Sequence, residues 1–331
     1  MGTTTKSEAA RLILFGSLCI AGALIAGASP LSSGESAATA GTPANNATAA
    51  TTGPETFATP EQAAAAMVEA AEKFDVTALL KLVGTGGEDV VLTGEYAQDR
   101  EQAQEFAAQA RKQMHVAVDP KTKSRAFVSV GEEDWPFALP IVKHGRGWSF
   151  DAAAGRDELF YRRIGSNELD AIEICQGYVE AQFDFAYRKR QGYEAPHYAQ
   201  HIISSPGKQD GLAWKNPDGS WGGPIGEKIA EAIEQGYNLK ADPYHGYFFK
   251  VLKGQGAAAP LGTMDYVVGG VMLGGFALVA APAEYGETGL KTFMVSHTGV
   301  VYEKDLGPDT LQQFQQMERF DPDKSWTPVK D

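Results

Sequence analysis

Read for the spacing of its apolar positions, the chain moves from helical to strand period twice. Residues Leu12 to Ala28 form one apolar run behind Lys6 and Arg11, and an Ala/Thr/Ser/Gly stretch without any period follows to about Pro54. Periodicity begins at Thr59-Pro60-Glu61-Gln62. Thr59 suits an N-cap, Pro60 the first helical position, and Gln62 completes a capping box. Ala64, Met67, Ala71 and Phe74 recur at helical spacing behind it. Asp75 predicts the cap of a second helix, Val76 to Val83, stopped by Gly84. Asp99 to Met114 predicts a third helix, polar enough to present a largely solvated face.

The period then drops to two. Arg125 to Val130 predicts a strand, and Pro136 to Lys143 with Gly147 to Asp151 predict a hairpin about His144-Gly145-Arg146. Trp135, Phe137 and Trp148 supply bulk for its buried face. Helical spacing returns at Asp157 to Ile164. The longest helix follows, capped by Asn167 and ending near Lys189-Arg190 before Gly192. Leu169, Ile172, Cys175 or Gln176, Val179 and Phe183 mark its apolar face, with Tyr178 and Phe185 on others. His197 to Ser204 reads as a further helical turn or two, Ser205 to Gly223 as a loop, and Glu227 to Glu234 as a helix. Strands are expected at Tyr247 to Leu252, Phe276 to Ala281, Lys291 to His297 and Val300 to Lys304, the last two joined by a tight turn at Thr298-Gly299. Thr310 to Met317 closes the pattern as a helix. Tyr266 to Pro282 is apolar, but its paired glycines weaken it as a membrane helix, so it reads as a loop feeding a buried strand.

This order predicts an α+β fold: N-terminal helices with a curved antiparallel sheet, then a long helix packed on an antiparallel meander. It divides into a leader at 1–28, a low-complexity linker at 29–56, a small cone-like α+β domain at 57–152 and a second α+β domain at 153–328. The leader has the charged start, apolar middle and Ala26-Gly27-Ala28 end of a secretory signal, which places the protein in the periplasm or outside the cell. The alternative is a run retained as an inner-membrane anchor. Cys19 follows the bulky Leu18 and sits inside the run, which argues against lipid attachment there.

Charge narrows the partners. The formal net charge is −13, and loss of the leader removes two cations (Lys6, Arg11) and one carboxylate (Glu8), giving −14. An acidic surface argues against nucleic acid and against peripheral attachment to anionic lipid. Only Cys175 remains after cleavage, so no intrachain disulfide forms, and its apolar surroundings predict a small buried hydrophobe rather than a nucleophile.

Motif chemistry is sparse. His197 and His201 are four apart, but Tyr198 stands where a zinc protease carries Glu; His144 and His297 have no ligand-spaced companions, so no metal is expected. No nucleophile elbow, phosphate loop or dinucleotide fingerprint occurs, and no cofactor is expected. Asp218-Gly219 lacks the further acids of a calcium loop. The candidate ligand site is the 205–223 loop, where Lys208, Asp210, Trp214, Asp218 and Trp221 combine charge with flat apolar surface suited to a sugar or peptide. The competing expectation is that both tryptophans anchor the loop to the core. Two functions follow. One is a non-enzymatic binding or assembly factor for an envelope protein. The other is a glycan-binding or glycan-hydrolysing protein with Asp210 and Asp218 as its paired acids.

The second half carries recognisable blocks: Tyr198-Ala199-Gln200 with Ser205-Pro206-Gly207-Lys208-Gln209-Asp210-Gly211-Leu212, Gly246-Tyr247-Phe248-Phe249-Lys250, Tyr285-Gly286-Glu287-Thr288-Gly289, and Val301-Tyr302-Glu303-Lys304-Asp305-Leu306-Gly307. Together they resemble the bacterial exported family called domain of unknown function 2950, over about residues 57–328. The resemblance implies a periplasmic or secreted protein and no assigned activity. Asp242-Pro243-Tyr244-His245-Gly246-Tyr247 is similar to an Asp-Pro-Trp-Gly segment of type II secretion pseudopilins, which makes the second domain pseudopilin-like. A whole domain precedes the long helix here, so fibre assembly is not implied. The first domain, through Gly147-Trp148-Ser149-Phe150, resembles nuclear-transport-factor-2-like domains.

Overall fold

The computed structural model describes residues 53–93, 96–187, 196–218, 220–225 and 243–330. The leader, the linker up to residue 52, the helix end expected at 189–192 and the helix expected at 227–234 lie outside the described residues. The fold is α+β. The chain separates into two compact units, with the break between Leu159 and Phe160.

In the first unit the caps act as the sequence dictates. Helix α1 is Pro60–Lys73, with Thr59 accepting a hydrogen bond from Gln62 N. The Gln62 side chain reaches one residue beyond the cap and accepts from Ala58 N at 3.2 Å. Helix α2, Val76–Val83, is capped by Asp75, which accepts from Ala78 N at 3.0 Å. Helix α3, Tyr96–Lys112, ends two residues earlier than expected, because Met114 already starts strand β1, Met114–Val118. Sequence reading missed β1, since only Met114 and Val116 of its five residues touch the core.

Strand β2 is Arg125–Val130, β3 Trp135–Pro136, β4 Ile141–His144 and β5 Gly147–Phe150. They form an antiparallel sheet in the order β1-β2-β4-β5, with β3 also on β2. The strand expected over 136–143 is thus two strands: Pro136 pairs with Ser129, whereas Ile141 pairs with Phe150. Phe137, between them, turns into the core and stacks on Phe106 at 4.7 Å. Ala126, Val128, Val130 and Ile141 bury one sheet face beneath the helices, while Arg125 and Phe127 stay outside.

Helix α4, Ala152–Tyr187, is one uninterrupted helix of 36 residues. The break expected at Gly165 to Asn167 is absent. Asn167 does not cap; its amide donates to Thr288 O at 2.9 Å, so the side chain finds its partner in tertiary structure and the helical ladder runs on. The next residue, Glu168, accepts from both Leu290 N and Lys291 N, at 2.9 and 3.0 Å. Leu169, expected on the buried face, is 68% exposed. The buried stripe runs instead through Ala171, Ile174, Cys175, Tyr178, Gln182 and Phe185.

The second unit holds three further groups of strands. Strands β6 (His201–Ile203), β7 (Gly211–Lys215) and β8 (Trp221–Gly222) make a small sheet, β6 parallel and β8 antiparallel to β7. This overturns two expectations, the helical turn at 197–204 and the long loop at 205–223. Burial alternates from exposed His201 to buried Ile202, and Leu212 and Ala213 are fully enclosed. At Gly223 φ is +120° and any Cβ would strike Leu212 O, so a glycine closes this hairpin against its own strand.

Strand β9 is Tyr247–Leu252. Two small ladders follow it: β10 (Gly254–Gln255) with β11 (Met264–Asp265), and β12 (Val267–Val268) with β13 (Val271–Met272). Strands β14 (Ala277–Pro282), β15 (Lys291–Ser296), β16 (Val301–Asp305) and β17 (Thr327–Pro328) complete an antiparallel meander in the order β17-β16-β15-β14-β9. All six residues of β14 are buried. The α4 rings of Tyr178 and Phe183 pack on neighbouring Phe276, at 5.6 and 5.4 Å. Helix α5, Thr310–Gln316, packs against β14, and its last carbonyls, Phe314 O and Gln315 O, are capped by Lys250 Nζ at 2.7 and 3.0 Å.

Candidate functional site

The sequence-derived candidates occupy the β7–β8 hairpin and the turn before it. Lys208 is exposed at that turn, its N–H bonded to Ser205 O at 2.9 Å. Asp210 ties the same turn by accepting from Ser205 N at 2.8 Å. Burial works against ionisation of Asp210, but the Ser205 hydrogen bonds outweigh it and hold the carboxyl below its ordinary range. Asp218 closes the β7–β8 turn, accepting from Ser220 Oγ at 2.6 Å and from Ser220 N at 3.0 Å, and these bonds hold its carboxyl low. Register places Trp214 opposite Gly222 and Lys215 opposite Trp221. The two tryptophans therefore face opposite sides of the hairpin. A Cβ at Gly222 would lie 2.7 Å from Trp214 Nε1, so that ring covers the glycine. Trp221 packs on the core and carries Lys215 Nζ 5.1 Å from its ring centre. The hairpin brings the five residues into one neighbourhood without joining the tryptophans into one stacking surface.

A second feature has a more defined shape. A cleft of about 500 Å³ lies along α4 in the second unit. One wall is a stripe on the helix: Asp170, Glu173, Gly177, Glu180 and Asp184. Steps of three and four residues keep them on one face, as helical geometry requires. Gly177 has nothing within 4 Å of its would-be Cβ, so the middle of the stripe is open. Ile174, Ala181, Pro224 and Ile225 give the apolar floor, and Tyr244 with His245 the opposite rim. The chain between Ile225 and Pro243 lies outside the described residues.

The rim is built by a two-residue turn. Tyr244 and Tyr247 exchange backbone hydrogen bonds at 3.2 and 2.9 Å around His245 and Gly246. Both central residues have positive φ, +45° and +74°, the geometry of a type I′ turn. Glycine suits the second position, and a Cβ there would also sit 2.6 Å from Thr288 Cβ. Histidine in the first position is held by what it touches. Its ring stacks on Tyr244 with centroids 4.1 Å apart, and Nδ1 meets Asp170 Oδ2. Burial, then the charges of Asp170 and Glu173, push the Tyr244 hydroxyl above its ordinary pKa, so it stays a neutral donor.

Sequence reading missed this cleft. Its signal in the sequence is the 3-4-3-4 spacing of Asp170, Glu173, Gly177, Glu180 and Asp184, on the same helix as the apolar stripe. Tyr244 and His245 are too distant in sequence for local spacing to join them to it.

The other candidates resolve simply. Cys175 is fully buried and desolvation pushes its thiol up to about 12. His197 and His201 do not share a helix face; His197 packs edge-on to Phe185, and His201 lies in β6. His297 has a buried Nδ1 without a hydrogen-bond partner, beside Tyr266 and Phe276. Among the described residues no cluster of three or more ligating side chains is suited to a metal, and no helix is long and apolar enough to cross a membrane.

Fold and cleft together define a two-unit α+β protein with an acid-walled groove in its second unit. The chain belongs to the family described as Protein of unknown function (DUF2950), whose model matches residues 54–329. Neither the curated proteins nor the solved structures contain a match to it.

Proposed function

We propose that this is an exported envelope protein acting as a non-enzymatic binding factor, and that it holds a cationic segment of a partner protein in the α4 cleft. The observation that carries this reading is the stripe of four carboxylates facing Tyr244 and His245. Glu173 and Glu180 make no ion pair among the described residues, so their charge is available to a ligand. Ammonium and guanidinium groups match such a wall, and the Tyr244 face adds a surface on which cations rest favourably. The titration of other groups agrees with binding rather than acid–base turnover. Asp210 and Asp218 are held as carboxylates, neither poised as a proton donor. Export is supported by the Leu12 to Ala28 run and its Ala-Gly-Ala end.

Fluorescence titration of the full chain with a labelled Lys/Arg-rich peptide tests the cleft. Binding should weaken with salt and fall about tenfold or more in Glu173→Gln/Glu180→Gln, the scale of losing one or two charge-assisted contacts. Equal affinity in the double variant would remove the cleft from the reading. Export is tested by the N-terminus of protein recovered from a bacterial host: it should start at or after Ser29, and an intact Met1 in soluble cytoplasm would contradict it.

A further inference from the structure

The net charge of the chain hides a strong local reversal. In the first unit the β1–β2 turn carries Lys121 and Lys123, β2 starts at Arg125, β4 ends in Lys143 and His144, and the β4–β5 turn carries Arg146. Pairing puts both turns at one end of the sheet: Arg125 stands opposite Val142, and Lys143 N donates to Ser124 O at 2.9 Å. All six side chains are exposed. Lys121, Lys123, Lys143 and Arg146 make no ion pair among the described residues. Among the described residues, Asp151 stands 3.8 Å from Arg125, and Asp119 is engaged with its own turn through Lys121 N and Thr122 Oγ1. Five permanent cations thus gather at this end in a chain whose formal charge is −13.

An apolar side chain accompanies them: Phe127, on the outer sheet face two residues from Arg125, is 49% exposed. A small anion is gripped by concave, convergent donors, whereas protruding cations beside exposed apolar groups suit a flat surface of many phosphates over a hydrocarbon layer. Over a screening length of about 10 Å such a surface responds to the end that faces it rather than to the whole molecule's charge.

We propose that this end of the first unit docks on anionic phospholipid bilayers, Lys121, Lys123, Arg125, Lys143 and Arg146 meeting headgroup phosphates while Phe127 enters the interface. The expectation from total charge, that anionic lipid is excluded, is thereby reversed for one face.

Flotation of the full chain with vesicles tests it, comparing phosphatidylcholine alone with phosphatidylcholine containing one third phosphatidylglycerol. Phosphatidylglycerol should raise the bound fraction strongly at low salt. In Lys121→Glu/Lys123→Glu/Arg146→Glu the affinity gain should fall about tenfold or more, since each basic residue near a charged surface contributes a sizeable share. These positions are exposed, so the melting temperature should not move. Lys6 and Arg11 remain in both proteins, so the difference between them reports the patch and not the leader. Phe127→Ser should weaken binding several-fold without changing its salt dependence. A phosphatidylglycerol-dependent gain that survives the triple reversal overturns the proposal. So does a patch-dependent attachment to polyphosphate or duplex DNA with none to vesicles.

Discussion

Gln182 and Ala199 are joined as two strand residues would be: Gln182 Nε2 donates to Ala199 O at 2.8 Å, and Ala199 N donates to Gln182 Oε1 at 2.9 Å. The amide also reaches Tyr178 Oη at 2.9 Å, and the side chain is fully buried. Helix α4 thereby supplies a short length of sheet edge to the segment leading into β6. Gln182→Leu would leave a buried N–H and C=O without partners, at a cost of about 1–3 kcal/mol each. Urea unfolding should show a total loss of about 2–5 kcal/mol, and a change below about 0.5 kcal/mol, the level of ordinary surface substitutions, would show that the pair is dispensable.

Trp148 is nearly buried in the first unit, bridged to Phe57 and lying beneath Lys143. Aromatic truncation in a core costs about 3–5 kcal/mol, so Trp148→Ala should lower stability by that order. An unchanged denaturation midpoint would mean that the indole is not part of this core.

His297 makes stability depend on pH in one direction. Burial holds its imidazole below the ordinary histidine range. As pH falls through about 6.5 the unfolded chain takes the proton first, so stability is full above that value and declines below it until the folded group titrates too. Unfolding curves between pH 7.5 and 5 should be less pH-dependent for His297→Asn than for the natural chain. Equal slopes would assign the acid sensitivity to other groups.

Cys175 should be silent in the folded state, because a buried thiol pushed up to about 12 offers almost no thiolate at neutral pH. Alkylation followed by peptide mapping, which separates Cys175 from Cys19, should modify it only under denaturant. Rapid native labelling would reveal an opening of the α4 core.

Gly246→Ala tests the cleft rim. A side chain at φ +74° costs about 1–2 kcal/mol even in free space, and here it also meets Thr288. Stability should fall by about 2 kcal/mol or more, and affinity for a cationic peptide should fall with it because His245 loses its seat. A stable variant with full affinity would separate turn and cleft.

Much of this fold is legible in local sequence. Helix α2 and strands β2 and β9 match their expected limits, because caps, glycines and alternation act within a few residues. What escaped depended on distant partners. Asn167 reads as a cap until Thr288 is beside it, and Leu169 as core until helix rotation is set by the sheet. Glycines and prolines made 205–223 read as loop, although Leu212 and Ala213 carried a strand within it. The cleft escaped for the same reason: four acids on a helix read as solvated until Tyr244 and His245, some sixty residues on, supply the facing rim.

The acid stripe is also a ruler. Its two carboxylates without an ion pair among the described residues, Glu173 and Glu180, stand about 10 Å apart along the helix on either side of Gly177. An extended peptide advances about 3.3 Å per residue. A matching segment therefore carries two cations about three residues apart. Such spacing is a word that can be searched for in the sequences of candidate partners.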